Sequence, residues 1–272
     1  MKKILGAVLA LFLLVGCSNS TSEKSKEAKT LSVSATSVPH AEILEQIKPT
    51  LKEKYNIDLD IQVTDDYFIP NKAVDSGDVD ANFFQHIPFL EQQIAEHGYK
   101  LVNAGNIHIE PIGIYSKKYK STDEIKDGST IIISNSVADH GRILSVLETA
   151  GLIKLKDGVD KVNATLKDIV ENPKKLEFKA DIAPEMLSKA YENNEADLVA
   201  INSNYALDAG LSPTKDAIII ESTKDNPYVN IVAVKEGNEN DERIKALISE
   251  LKSDSTKKFI EDKYKGSVIV AE

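Results

Sequence analysis

The stretch Asp80–Gln93 sets Phe83 and Phe84 beside Gln85 and His86, and follows Pro88 with Phe89. A core strand can use the rings but has little use for an amide and an imidazole placed between them and a proline. A pocket for a small, partly apolar molecule can use all of them, because rings cover apolar surface while the amide and imidazole exchange hydrogen bonds. Neighbouring strand residues point to opposite faces, so one of Phe83 and Phe84 packs into a core while the other faces away from it.

Other side chains could support other chemistry. The chain holds five histidines, His40, His86, His97, His108 and His140. On a strand, His108-x-Glu110 would place two zinc or manganese ligands on one face, with His86 as a candidate third. No short-spaced histidine cluster accompanies them, so no metal site is assigned. Ser134, Asp139 and His140 contain the groups of a hydrolytic triad, but side chains so close in sequence seldom reach triad geometry. There is no Gly-x-x-x-x-Gly-Lys or Gly-x-Gly-x-x-Gly loop, no His-Glu-x-x-His and no Gly-x-Ser-x-Gly elbow. Nucleotide binding and the common hydrolytic reactions therefore find no motif. No catalytic residue and no cofactor is expected.

The elements that must position these residues alternate along the chain. Period-two patterns predict strands at 31–35, 57–63, 79–83, 101–104 and 107–115, and later at 130–134, 175–179, 196–201, 217–220 and 228–234. Helical spacing fills the gaps: 43–51 with Pro49 weakening it, 67–74 ending at Gly77, 88–97 closed by Gly98, 137–150, a helix opened by Pro184, 204–209, 241–251 and 256–264. Strands alternating with helices imply an α/β architecture with largely parallel sheets. Candidate crossovers near 108–115 and 226–234 divide it into two lobes, 31–112 plus 230–272 and 113–229.

The N-terminus suggests where such a protein works. Lys2 and Lys3 precede an apolar run, Ile4–Val15, that is too short to span a bilayer and reads as a signal-peptide core. It closes in Leu14-Val15-Gly16-Cys17, similar to a bacterial lipobox, in which the cysteine carries the lipid. Cys17 is also the sole cysteine, so disulfides play no part. The expected layout is a signal peptide over 1–16, a lipidated flexible tether over 17–30, and a folded part of about 240 residues, enough for a sizeable core. The formal charge is −10, or −12 once Lys2 and Lys3 are removed, which repels nucleic acid and anionic headgroups.

Several segments together resemble one family. They are Asp80-Ala-Asn-Phe-Phe-Gln-His86 with Pro88-Phe-Leu90, His108–Ser116, Asn135 with Arg142, Ala200–Ala206, and Pro227–Val232. In order and spacing they are similar to the NlpA/MetQ methionine-binding lipoproteins, the substrate-binding proteins of ABC importers, over nearly the whole mature chain. The resemblance implies a bilobal periplasmic-binding-protein fold that takes a ligand between its lobes. It implies L- or D-methionine as the ligand, with a methionine-containing dipeptide or another apolar amino acid as the alternative, and a metal receptor or an adhesin as the more distant ones. The implied partners are a membrane permease and its ATPase, with the protein monomeric and held at the outer face of the cytoplasmic membrane, or facing the periplasm, by its lipid. Tyr67, Phe84, His86 and Phe89 would line the side-chain pocket with His108 nearby, and aromatic faces suit a thioether. Arg142, in the first turns of a helix after a buried strand, would clamp the α-carboxylate through two parallel hydrogen bonds. Asn202 and Asn230 would hold the polar head, although Asn202 could instead cap the following helix. The sequence departs from the family pattern at Ser136–His140 and at Phe89, often tyrosine in relatives. Neighbouring contacts, and the exact ligand, stay open there.

Overall fold

The structure is a computed structural model and describes residues 28–271. The signal-peptide and lipobox assignments, Cys17 included, lie outside the described residues.

The chain opens with β1 (Lys29–Ala35), whose Leu31, Val33 and Ala35 are wholly buried as the alternation requires. A turn then leads into α1 (Glu42–Tyr55), which buries Ile43, Leu44, Ile47 and Leu51 along one stripe. Pro49 does not end α1. It sits on the exposed side, where the hydrogen bond it cannot make belongs to a solvent-facing carbonyl. Next come β2 (Ile57–Val63), α2 (Ile69–Ser76), β3 (Ala81–His86) and α3 (Ile87–His97). Gly77 and Gly98 stop α2 and α3 in the left-handed region, at φ of 85° and 72°. β4 (Leu101–Ile109) follows as one strand rather than a break near residue 105. Its pairing shifts register there instead, and a Cβ on Gly105 would come within 2.8 Å of Ile248 Cδ1, so a larger residue would oblige that side chain to move.

Past Pro111 the chain enters a second set. It comprises β5 (Gly113–Tyr115), β6 (Thr130–Ser134), α4 (Val137–Thr149), the small hairpin β7 (Lys154–Leu155) and β8 (Ile169–Glu171), then β9 (Glu177–Ile182), α5 (Leu187–Glu192) and β10 (Leu198–Ile201). α6 (Ser203–Asp208), α7 (Pro213–Asp216) and β11 (Ile219–Ile220) complete it. The chain then returns through β12 (Val229–Lys235) to α8 (Glu242–Leu251), α9 (Asp254–Tyr264) and β13 (Ile269–Val270). β7, β8, α7 and β13 are too short to carry a readable period.

The strands form two main sheets, ordered β13-β4-β12-β3-β1-β2 and β11-β5-β10-β6-β9. Each lobe has helices on both faces of its sheet. In the first, α1, α8 and α9 close one core over Leu31, Val33 and Phe83, and α2 and α3 close another over Ile231 and Ala233. In the second, α4 covers Ile131 and Ile133 while α5 and α6 cover Ile132 and Val199. The protein is thus a two-lobed α/β molecule whose lobes are joined at 110–112 and 221–228. The carboxyl ends of β3, β6 and β10 open toward the space between the lobes, the place where open α/β sheets receive ligands.

Candidate functional site

One interlobe cavity is lined by Tyr67, Phe84, His86, Phe89, Arg142, Asn202 and Asn230, together with Gln85, Glu110, Asp139, Ser203 and Asn204. Seven of the eight expected ligand residues therefore meet. The eighth, His108, does not line the cavity. It is fully buried behind Glu110, packed against Phe83 and His40.

The first lobe supplies the rings. Phe84 points off β3 opposite the core-facing Phe83, and Phe89 rises from the first turn of α3. Their centroids lie 5.9 Å apart, nearly edge to face, with Tyr67 5.9 and 5.8 Å away. His86 caps α3: its Nδ1 accepts from the Phe89 backbone N–H at 3.1 Å. Nε2 must then carry the proton, and it donates across the cleft to Asp139 Oδ1 at 3.1 Å. Gln85 and Asn82 turn into a buried amide network with Asn71. This accounts for the polar residues among the phenylalanines: one is a cap and interlobe bridge, the other part of a satisfied amide cluster.

The second lobe supplies the charges. Asp139 and Arg142 stand one turn apart on α4, with Asp139 Oδ1 3.6 Å from Arg142 Nη1. α4 sits close to the 161–162 loop, because a Cβ on Gly141 would meet two backbone oxygens at 2.3 Å. Burial raises the Asp139 carboxyl, but the His86 hydrogen bond, the charge of Arg142 and the Asn202 amide outweigh it and bring its pKa to about 2. Asn202 occupies the cap position of α6 without capping it. Its Nδ2 donates to Asp139 Oδ2 at 3.0 Å, and its Oδ1 is buried with no hydrogen-bond partner, an acceptor the protein itself leaves unused. Asn204, whose side chain does not cap α6 either, accepts from Tyr67 Oη at 2.6 Å across the cleft.

Arg142 is buried as expected, but its carboxylate partner is internal. Nε and Nη2 both donate to Glu221, Nη2 also reaches the Glu110 carbonyl at 2.9 Å, and the guanidinium lies over the Tyr228 ring at 4.6 Å. The two-bond edge expected to clamp a ligand is thus filled by Glu221, which leaves Nη1 beside Asp139. Burial would lower the guanidinium pKa, but Glu221 and Asp139 raise it further above its ordinary value.

The other sequence candidates resolve differently. His108 and Glu110 do pair, at 2.7 Å, and the third group beside them is His40 rather than His86. His140 bonds the Ser134 carbonyl at 2.8 Å while Asp139 faces His86, so these three form no relay.

The cavity itself is small, about 20 Å³, close to what one water needs. Side chains of His86, Tyr67 and Tyr205 span the cleft, and Arg142 reaches the connection at Glu110. A ligand can enter only if the lobes part. A larger groove of about 580 Å³ lies on the outer side of Arg142, where Val146, Ile219, Ile220 and Tyr228 alternate with charged groups such as Lys161, Lys224 and Asp225. It lacks the ring cluster and the Asp139, Asn202 and Asn230 side chains, and the smaller cavity, which unites rings with those groups, is the better site despite its volume.

The model of the NlpA lipoprotein family matches residues 31–271. The chain belongs to the NlpA lipoprotein family. It is 54% identical to the methionine-binding lipoprotein MetQ of Bacillus subtilis over 274 residues, covering 99% of this chain and 98% of that one. Among solved structures it is similar to a nutrient-binding protein from Burkholderia cenocepacia bound to methionine. That chain is 39% identical, with a TM-score of 0.84, covering 89% of this chain and 100% of that one. It is also similar to a periplasmic substrate-binding protein of an ABC transporter from Coxiella burnetii, at 38% identity and a TM-score of 0.83, with 89% and 100% covered. No helix among the described residues is long and apolar enough to cross a membrane.

Proposed function

We propose that this protein is the substrate-binding lipoprotein of an ABC importer, taking up methionine between lobes 31–112 plus 230–272 and 113–229. Cys17 would carry the lipid that holds it at the cell envelope, and the closed form would dock on a permease driven by a separate ATPase. One observation carries the reading: a ring cluster and a zwitterion-sized set of opposite charges share one enclosed cavity. Tyr67, Phe84 and Phe89 give a thioether three aromatic contacts, each contributing about 0.3–1.5 kcal/mol. The ligand's ammonium would meet Asp139 and the unpartnered Asn202 Oδ1. Its carboxylate would meet Arg142 Nη1 and Asn230, a smaller share for Arg142 than a full clamp because Glu221 holds the other edge. His108 would act only through Glu110.

The ligand stabilises the closed state because only that state brings rings, charges and amides together. Calorimetry on delipidated protein, unfolded and refolded to remove any carried ligand, tests this. The expected result is a Kd for L- or D-methionine below about 1 μM, or about −8 kcal/mol, with the ligand recovered unaltered by mass spectrometry. Tighter binding of a methionine-containing dipeptide or of leucine would reassign the ligand, and a modified product would overturn the receptor reading.

A further inference from the structure

Behind Asn230 lies a buried group that the ligand reading does not use. His40 is 1% exposed, His108 0% and Glu110 6%. His40 enters from the turn between β1 and α1, His108 from the end of β4, and Glu110 from the first interlobe connection. Glu110 Oε1 lies 2.7 Å from His108 Nε2 and 3.0 Å from His40 Nε2. An imidazole nitrogen this close to a carboxylate oxygen must present a proton, so His40 Nε2 is protonated. The same N–H has hydrogen-bond geometry toward Asn230 Oδ1 at 3.1 Å. On the far side of the ring, His40 Nδ1 pairs with the Thr36 hydroxyl at 2.6 Å, which fixes the ring's orientation.

These contacts decide which way the Asn230 amide faces. Its oxygen must meet the N–H of His40, because the opposite orientation would set two donors against each other. The Nδ2 donor is then the end available to the cavity. The β12 strand shifts register on both sides just after Asn230, which lets this one side chain aim independently of the ladder. Glu110 also accepts, through its carbonyl, the Arg142 Nη2 hydrogen bond at 2.9 Å, so the same connection steadies the guanidinium.

Resting on the amino-acid reading above, we infer that His40 is a positioning residue for substrate recognition: its N–H, held by Glu110 and Thr36, fixes the Asn230 amide as a donor toward the ligand's carboxylate. His108 supports it by supplying Glu110 with a second N–H. The three groups also have metal-ligand chemistry, with ligand atoms within 4.8 Å of one another. Their separations of 2.7 and 3.0 Å are hydrogen-bond distances, shorter than two ligands of one tetrahedral ion would keep, about 3.3 Å for bonds of about 2.0 Å.

The test compares wild type, His40→Leu, His40→Gln, Asn230→Ala and the His40→Leu/Asn230→Ala double variant by calorimetry on refolded protein. The probes are L-methionine and methioninol, which lacks the carboxylate. His40→Leu should weaken L-methionine about tenfold or more but methioninol less than about twofold, and His40→Gln, which restores a donor, should recover part of the loss. In the double variant His40→Leu should add nothing to Asn230→Ala. Equal losses for both probes, or additive losses, would overturn the inference and leave His40 a packing residue. If His40→Leu fails to fold, His40→Gln in the presence and absence of Asn230→Ala gives the same comparison. A zinc-induced rise in Tm seen in wild type and absent in His40→Gln would also overturn it, since the metal would then occupy the proton's place. A wild type that binds neither probe would defeat the amino-acid reading. In that case the Asn230 side-chain amide resonances decide the role of His40: a large shift in His40→Gln supports it and no shift overturns it.

Discussion

The wall that the first lobe gives the cavity carries Tyr67, Phe84, Phe89 and His86, while the wall from the second carries Asp139, Arg142 and Asn202. The first wall is held by ring packing at about 5.9 Å, and it can accept small changes in ligand shape. The second is held by buried ion pairs and directed hydrogen bonds, and it has almost no slack. The difference separates two tasks. On the proposed reading, the polar wall would decide whether an amino-acid head is held at all, and the aromatic wall which side chain is preferred. The lobes must close before either is complete, since His86 and Tyr67 reach across to Asp139 and Asn204.

Removing charge from the polar wall should have the largest effect. Arg142→Ala leaves Glu221 buried without its partner, and should cost about 3–5 kcal/mol of stability in urea unfolding, in addition to any loss of binding. Unchanged stability would mean that Glu221 is not held as described. Asp139→Asn comes next. With a neutral group facing the ammonium, affinity should fall by about 2–5 kcal/mol in calorimetry. The same variant probes pH. The Asp139 pKa of about 2 lies below its ordinary 3.8, so the folded state is favoured by the ionised form. That contribution, about 2 kcal/mol, is fully present above about pH 4 and is lost as pH falls toward 2. The stability gap between wild type and Asp139→Asn should therefore narrow over that interval, and a gap that widens on acidification would contradict the assignment.

Changes to the aromatic wall should be gentler and selective. Phe84→Leu and Phe89→Leu should each cost about 0.3–1.5 kcal/mol for methionine and less for norleucine, which has no sulfur. Equal losses for the two ligands would remove the sulfur contact from the account. Tyr67→Phe, which deletes one interlobe hydrogen bond, should fall in the same range, about 1 kcal/mol in ligand affinity, but without discriminating methionine from norleucine.

The two walls were also unequally readable. The aromatic wall falls within residues 67–89, where strand alternation separates Phe83 from Phe84 and glycines mark the helix ends. Most element positions were legible for the same reason, because local periodicity and capping depend on near neighbours. The polar wall depends on distant ones. Arg142 was visible as a buried candidate after a β-branched strand, but its partner Glu221 is 79 residues away and carries no local mark. Asp139 stood out only beside Ser134 and His140, and nothing near it in sequence announces His86, 53 residues earlier. His40 and Asn230 are 190 residues apart, and only the return of β12 beside β3 brings them together. Asn202 carried a cap as its alternative reading, and its unpartnered oxygen appears only in three dimensions.

The central claim is that one closed cavity holds an amino-acid head on the second lobe and a thioether on the first. Co-crystallisation with L-selenomethionine tests it directly, because anomalous scattering locates the selenium without reference to the protein density. The account predicts a single ligand selenium about 5 Å from the Phe84 and Phe89 rings, with the ammonium at Asp139 and Asn202. A selenium in the outer groove near Ile219 and Tyr228, or a ligand whose head lies against the rings, would contradict it.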